Sequence, residues 1–274
     1  MKLFPIVAGH FIADGGACFG VVPKKTWQKR YPCDEQNFCK LVMRCLLVDT
    51  GERRIIIDTG AGTKQADYLK YYGVKEIIDF ESELNKLGYS TCNITDVVLT
   101  HLHFDHCGGS TYQDKNKNLQ LTFPNASHWV GEEQLLNSLN PNVREDDSYF
   151  PENMQPVLEA GKLKLVNENM FLCPGIELRL FHGHTPGQIA VYIHTTGKTY
   201  LYPGDVIPLA ANIPLAWISA YDSYPVVSMT EKKGMLEEAV EKKQVIIFIH
   251  DAYTEACTVK CENGKYKVAA THQI

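Results

Sequence analysis

Between Thr100 and Gly109 the chain reads T-H-L-H-F-D-H-C-G-G, which sets three imidazoles and a carboxylate within six positions of one another. His101, His103, Asp105 and His106 cannot all face the same way, and that division suits two adjacent metal ions served by one loop. Ahead of them Asp96-Val97-Val98-Leu99 is a short β-branched run with strand character, and behind them Gly108-Gly109 permits a tight turn into a helix. The donors are therefore predicted at the carboxyl end of a buried strand, where open α/β layers carry their chemistry. Cys107 is the lone thiol nearby, which excludes a thiolate-rich zinc finger.

Strand character recurs at Leu41–Thr50 and Arg54–Asp58, joined by the turn signal Gly51-Glu52. Helices are expected over Lys64–Tyr72 and Phe80–Leu87, the second closed by Gly88. From Thr111 to Pro156 the chain is polar and punctuated by Pro and Asn, with one helix near Glu132–Leu139, and reads as an insertion or lid. Beyond it come strand candidates at Leu163–Val166, Ile176–Phe181, Ile189–His194 and Thr199–Tyr202. A helix over Met229–Lys243 with Met229, Met235, Leu236, Ala239 and Val240 on its apolar face follows, and then the buried run Val245–Ile249. This order of elements suggests two similar αβ halves without a visible sequence repeat.

A formal net charge of −5 offers no electrostatic footprint for nucleic acid. Lys24, Lys25, Lys29 and Arg30 around Trp27 read as a solvated segment. No apolar run approaches the roughly eighteen residues of a membrane span. Nine cysteines without framework spacing, in a chain with no secretory signal at Met1–His10, are expected to be reduced thiols of a cytoplasmic protein. The pair Cys257 and Cys261 has no second pair to complete a metal site.

Three further donors stand where predicted strands run out into loops: His184 within H-G-H-T-P-G, Asp205 within Y-P-G-D, and His250 after Val245–Ile249. With the first motif they make seven, enough for two metals with positions left for water and substrate. H-x-H-x-D-H, a histidine in H-T-P-G, then G-D, then a strand ending in His, resembles the metallo-β-lactamase superfamily over nearly the whole chain. The resemblance implies a four-layer αββα sandwich forming one domain over residues 1–274. It also implies two divalent metal ions, zinc foremost, one held by His101, His103 and His184, the other by Asp105, His106 and His250, with Asp205 bridging.

The N-terminal stretch Asp14-Gly15-Gly16-Ala17-Cys18-Phe19-Gly20-Val21-Val22-Pro23-Lys24 with Trp27, and Trp217 with Ala220-Tyr221-Asp222, are similar to the quorum-quenching lactonase and methyl-parathion-hydrolase group. That likeness implies a hydrolase opening N-acyl-homoserine lactones by attack of a metal-bridging hydroxide, with Asp105 and Asp205 as catalytic carboxylates. Phe19, Trp27, Ile213, Trp217 and Tyr221 would then wall the acyl chain, although aromatics serve cores as often as pockets. The implied partner is a small molecule, with no nucleic acid or membrane, and the Gly20–Pro32 arm suits a homodimer contact as readily as a pocket wall. The sequence departs from the well-known lactonases at Pro208, where they carry a carbonyl-assisting tyrosine, so Tyr221 or His182 must serve or the metals act alone. The alternative is a phosphotriester or aryl-ester hydrolase of the same fold; a metal-bound sensor without turnover is the third reading. Asp58 is a candidate to orient a ligand histidine, and equally a cap or turn carboxylate.

Overall fold

Ile55, Ile56 and Ile57 carry no polar atom in their side chains, and a strand apolar at every position must be covered on both faces. In the computed structural model, which describes residues 1–65 and 67–274, all three are fully buried. Contacts divide the chain into two units, Met1–Phe11 with Val42–Asn167, and Ile12–Leu41 with Glu168–Ile274.

The first sheet takes β1 (Lys2–Asp14), β2 (Phe38–Asp49), β3 (Arg54–Ile57) and β4 (Asp96–Val98). A separate hairpin, β5 (Thr111–Gln113) with β6 (Leu119–Leu121), precedes β7 (Ser127–Gly131) and β8 (Leu163–Val166), which complete it. Neighbours follow the order β1-β2-β3-β4-β7-β8, and from β3 onward the pairs are parallel. Parallel neighbours require crossovers, which here contain the helices Phe80–Lys86 between β3 and β4 and Glu132–Leu139 and Pro151–Glu159 between β7 and β8. The first of these is capped by Asp79, whose carboxylate accepts from Ser82 N at 3.0 Å.

The polar stretch from Thr111 to Pro156 is therefore not simply an insertion. β7 is an interior strand of the first sheet, with His128 and Val130 fully buried. The helix Pro151–Glu159 was hidden because its buried face includes Asn153 beside Met154 and Val157, while Pro151 opens its first turn.

The second sheet runs β9 (Met170–Cys173), β10 (Ile176–Phe181), β11 (Gln188–Thr195), β12 (Lys198–Tyr202), β13 (Val245–Ile247), β14 (Ala256–Glu262) and β15 (Lys265–His272). Its spatial order is the reverse of that listing, antiparallel except for the parallel pair β12/β13. The crossover joining that pair carries the helix Pro225–Glu241. Met235, Leu236 and Ala239 from this helix pack with Tyr192, Leu201, Ile246 and Phe248 in the core of the second unit.

That helix begins earlier than its periodicity predicts, and Met229 is 39% exposed rather than on the buried face. The face actually buried runs through Ser228, Lys232, Met235, Leu236 and Ala239, so two polar residues stand where an apolar stripe is sought. Lys232 is only 1% exposed, and its ammonium donates to the carbonyls of Asn212 (2.9 Å), Pro214 (3.1 Å) and Trp217 (3.0 Å). Burial pulls its pKa down to about 7.

β14 and β15 were not anticipated, although their turn is an Asn263-Gly264 pair with both residues at positive φ, as a two-residue hairpin requires. Among the described residues no cysteine forms a disulfide. Among the described residues no helix is long and apolar enough to cross a membrane.

Candidate metal centre

The donors of the first unit follow β4 directly: a loop carries His101 and His103, and the short helix Phe104–Cys107 carries Asp105 and His106. The loop after β3 clamps this segment, with Thr59 N donating to His106 O at 2.7 Å and Gly109 N to Gly60 O at 2.9 Å. The two backbones come so close that a Cβ on Gly62, at φ +64°, would meet Gly108 O at 2.7 Å.

His101 and His106 are fully buried, with ring centroids 3.8 Å apart, and His101 Nε2 lies 3.0 Å from His103 Nδ1. Asp105 Oδ2 is 3.6 Å from His106 Nε2. Behind them Asp58, fully buried at φ +57°, accepts from Thr100 N at 2.7 Å and lies 3.0 Å from His106 Nδ1. Of the two roles open to Asp58, the structure shows the first: its carboxylate faces the ring of a donor histidine.

In the second unit His184 follows β10, Asp205 sits in the short turn after β12, and His250 follows β13. Asp205 turns one oxygen to each imidazole: Oδ2 is 3.5 Å from His184 Nε2 and Oδ1 is 3.2 Å from His250 Nε2. The His184 loop is pinned by Glu231, which accepts from His182 N at 2.8 Å and Gly183 N at 2.9 Å. Gly183 packs against Ser228 with no room for a Cβ. Burial raises the pKa of Glu231 despite those two bonds. His250 N donates to Pro208 O at 3.2 Å, which is the part that the residue in the place of the lactonase tyrosine plays here.

Sequence reasoning missed the counterpart of Asp58. Asp222 is 3% exposed, and its Oδ1 lies 3.0 Å from His184 Nδ1. Nothing in the spacing of S-A-Y-D-S-Y-P marks it, because the pairing spans 38 positions of chain. An imidazole that hydrogen-bonds a carboxylate through Nδ1 presents Nε2 as an electron-pair donor, the usual arrangement behind a metal ligand. His106 and His184 are both held so, and Asp205 offers its two oxygens in different directions. The donor sets of both units thus fit divalent cations with nitrogen and oxygen ligands.

The expected aromatic wall is only partly available. Phe19 and Trp27 are 0% and 1% exposed and stacked at 5.0 Å, with Trp217 edge-on to Phe19 at 5.9 Å. Ile213 is buried as well, so these three are core side chains with no surface for a ligand to touch. Trp217 keeps a small exposed edge, under the Arg30 guanidinium at 4.6 Å, and Tyr221 is half exposed. Among the flanking cations, Lys24, Lys25, Lys29 and Arg30 are exposed, as expected.

Comparison with known proteins agrees with this geometry. The model of the metallo-beta-lactamase superfamily matches residues 44–248. The chain belongs to the metallo-β-lactamase superfamily. It has that superfamily's fold and is a metal-dependent hydrolase.

Among individual relatives, the N-acyl homoserine lactonase AiiA of Bacillus thuringiensis subsp. kurstaki is 25% identical over 232 residues, covering 78% of this chain and 84% of that protein. A probable metal-dependent hydrolase from Staphylococcus aureus superposes with TM-score 0.91 at 29% identity, over 100% of this chain and 96% of the other. AidC, a dizinc quorum-quenching lactonase solved with its product N-hexanoyl-L-homoserine, gives 0.81 at 23% identity, over 99% and 95%, a likeness of fold.

Proposed function

We propose that this hydrolase opens the ring of N-acyl-homoserine lactones, using two divalent ions, zinc foremost. On this reading His101, His103 and His184 hold one ion, Asp105, His106 and His250 the other, and Asp205 is shared. The observation that carries it is Asp205, whose two carboxylate oxygens face two different donor imidazoles. The lactonases among the relatives support the choice of substrate.

Bound there, the ions supply Lewis acidity and a water acidified toward neutral pH. The chain's own groups do the rest. Asp58 and Asp222 keep the His106 and His184 rings from turning, so that the donors are set before substrate arrives. Asp105 keeps 14% of its side chain exposed, which leaves its carboxylate able to take a proton from the attacking water and return it to the departing ring oxygen. The acyl C–O bond of the ring breaks, the hydroxyl stays on the homoserine side chain, and the new carboxylic acid ionises. His182 Nδ1 already accepts from Gly187 N at 3.3 Å, so Tyr221 is the better candidate to meet the lactone carbonyl where the tyrosine of other lactonases is absent. Trp217 and Tyr221 provide the accessible apolar surface, with Phe19 and Trp27 supporting Trp217 from behind. Cysteines that form no disulfide among the described residues suit a reducing cytoplasm.

The test is acid release by zinc-, manganese- or cobalt-loaded enzyme with N-hexanoyl-homoserine lactone, run beside a paraoxon-like triester. Turnover of the lactone that exceeds triester turnover, and that is lost together with bound metal in Asp205→Ala, is expected. Triester turnover with an inert lactone would refute the reading.

A further inference from the structure

Lys232 carries a charge into the second unit, where an apolar side chain of similar length would be far easier to bury. An ammonium has three N–H groups, and the carbonyls of Asn212, Pro214 and Trp217 take all three, so no donor is left over. Residues 213–219 are neither helix nor strand, and within them Trp217 N donates back to Pro214 O at 2.9 Å. This irregular stretch is thus gathered around one point from which three bonds diverge. Trp217 O is held twice, since Asn212 Nδ2 also donates to it at 3.2 Å, and the same amide donates to Cys18 O at 3.2 Å.

Beyond Trp217 other groups secure the chain. Ala220 N and Ser219 Oγ both donate to Ala17 O, at 2.8 and 3.0 Å. Ser223 N donates to His184 O at 2.9 Å, and Tyr224 N to Gly183 O at 2.8 Å. Asp222, which backs His184, therefore keeps its place without Lys232. The main chain of Trp217 is different, because Lys232 is what ties it to the helix Pro225–Glu241. The helix residue before Lys232 is Glu231, which pins the His184 loop, so adjacent helix positions fix that loop and the Trp217 loop separately.

We propose that Lys232 is a positioning residue of the hydrolytic site: by gathering the carbonyls of Asn212, Pro214 and Trp217 it keeps the accessible edge of Trp217 in the place where substrate rests. The role rests on the lactonase reading in taking the surface of Trp217 and Tyr221 as the seat of the acyl portion. It acts on substrate affinity, and neither on the ions nor on the bond-breaking step. Apparent affinity falls with the fraction of molecules that keep the competent shape, so a loop that keeps it about a tenth of the time raises KM about tenfold.

Lys232→Met retains a long buried stem and removes the three donors, while Trp217 O keeps Asn212 and Pro214 O keeps Trp217 N. Zinc-loaded wild type, Lys232→Met and Asn212→Ala are compared for zinc content, for kcat and KM with N-hexanoyl-homoserine lactone, and for amide hydrogen exchange along the chain. Expected in Lys232→Met are wild-type zinc content and kcat, a KM raised about tenfold, and faster exchange confined to residues 212–219. Asn212→Ala, which removes the second donor to Trp217 O, should move KM the same way by less. Unchanged KM in a folded Lys232→Met overturns the proposal. So does lost zinc, a kcat that falls as far as KM rises, or faster exchange spread over the whole chain, each of which marks a general role in stability. Should Lys232→Met not fold, Asn212→Ala decides, and a wild-type KM there overturns the proposal. A wild type that hydrolyses a paraoxon-like triester but not the lactone refutes the lactonase reading instead, and the same KM comparison is then made with the triester. If neither is hydrolysed, exchange decides: acceleration confined to residues 212–219 upholds the anchoring, and wild-type exchange overturns it.

Discussion

His128 shows how much a single buried side chain can couple stability to pH. Its ring is fully buried within β7 and burial lowers its pKa to about 4. Between that value and the ordinary 6.5 the unfolded chain binds a proton that the folded chain refuses, so stability rises with pH across this window and falls as the medium is acidified through it. The loss amounts to about 3 kcal/mol between pH 6.5 and pH 4. Urea titrations of metal-free protein should show that His128→Leu loses less stability than the wild type over this interval; parallel slopes would contradict the assignment. Asp222 belongs to the same scale. With its amide in place of the carboxylate, His184 keeps a partner but not a charged one. Asp222→Asn and Asp58→Asn should each weaken metal binding roughly 10- to 100-fold in competition with a chromophoric chelator, with little change in secondary structure.

At the scale of elements, the loops after β3 and β4 act as one piece because glycine lets them touch. Gly62 stands at φ +64° with Gly108 O where its Cβ would be. Gly62→Ala should cost about 2 kcal/mol in a denaturant titration, since backbone strain and the clash add. An alanine with full stability would mean the loops yield. Elements with a plain apolar pattern were legible: β3, β4, β8 and β10 lie where their residues predict, and so does the helix Glu132–Leu139, although the side chain it buries is Gln134. Other elements that mix polar residues into a buried face were not. β7 buries His128, the helix Pro151–Glu159 buries Asn153, and the helix Pro225–Glu241 buries Ser228 and Lys232. For two of these the partner comes from another segment: Gln65 Nε2 donates to Asn153 at 3.2 Å, and the carbonyls of Asn212, Pro214 and Trp217 accept from Lys232.

For the whole molecule, the donors lie in both units, His101 to His106 in one and His184, Asp205 and His250 in the other. Metal that binds the folded chain stabilises it by mass action. Chelation should therefore lower the melting temperature, and zinc should restore it together with hydrolysis; a melting curve indifferent to chelator would count against tight binding.

The seven candidate donors and their positions at strand ends were legible in the chain, because H-x-H-x-D-H packs four imidazole and carboxylate side chains into six positions. Superfamily and hydrolytic class follow from the same pattern. What only the tertiary structure decided was which groups stand behind the ligands and which aromatics keep a surface. Asp222 against His184, Lys232 under the Trp217 loop, and Phe19 packed edge-on against Trp217 are pairings between residues far apart in the chain. No local spacing encodes such pairings, since they arise only when sheets and helices have packed.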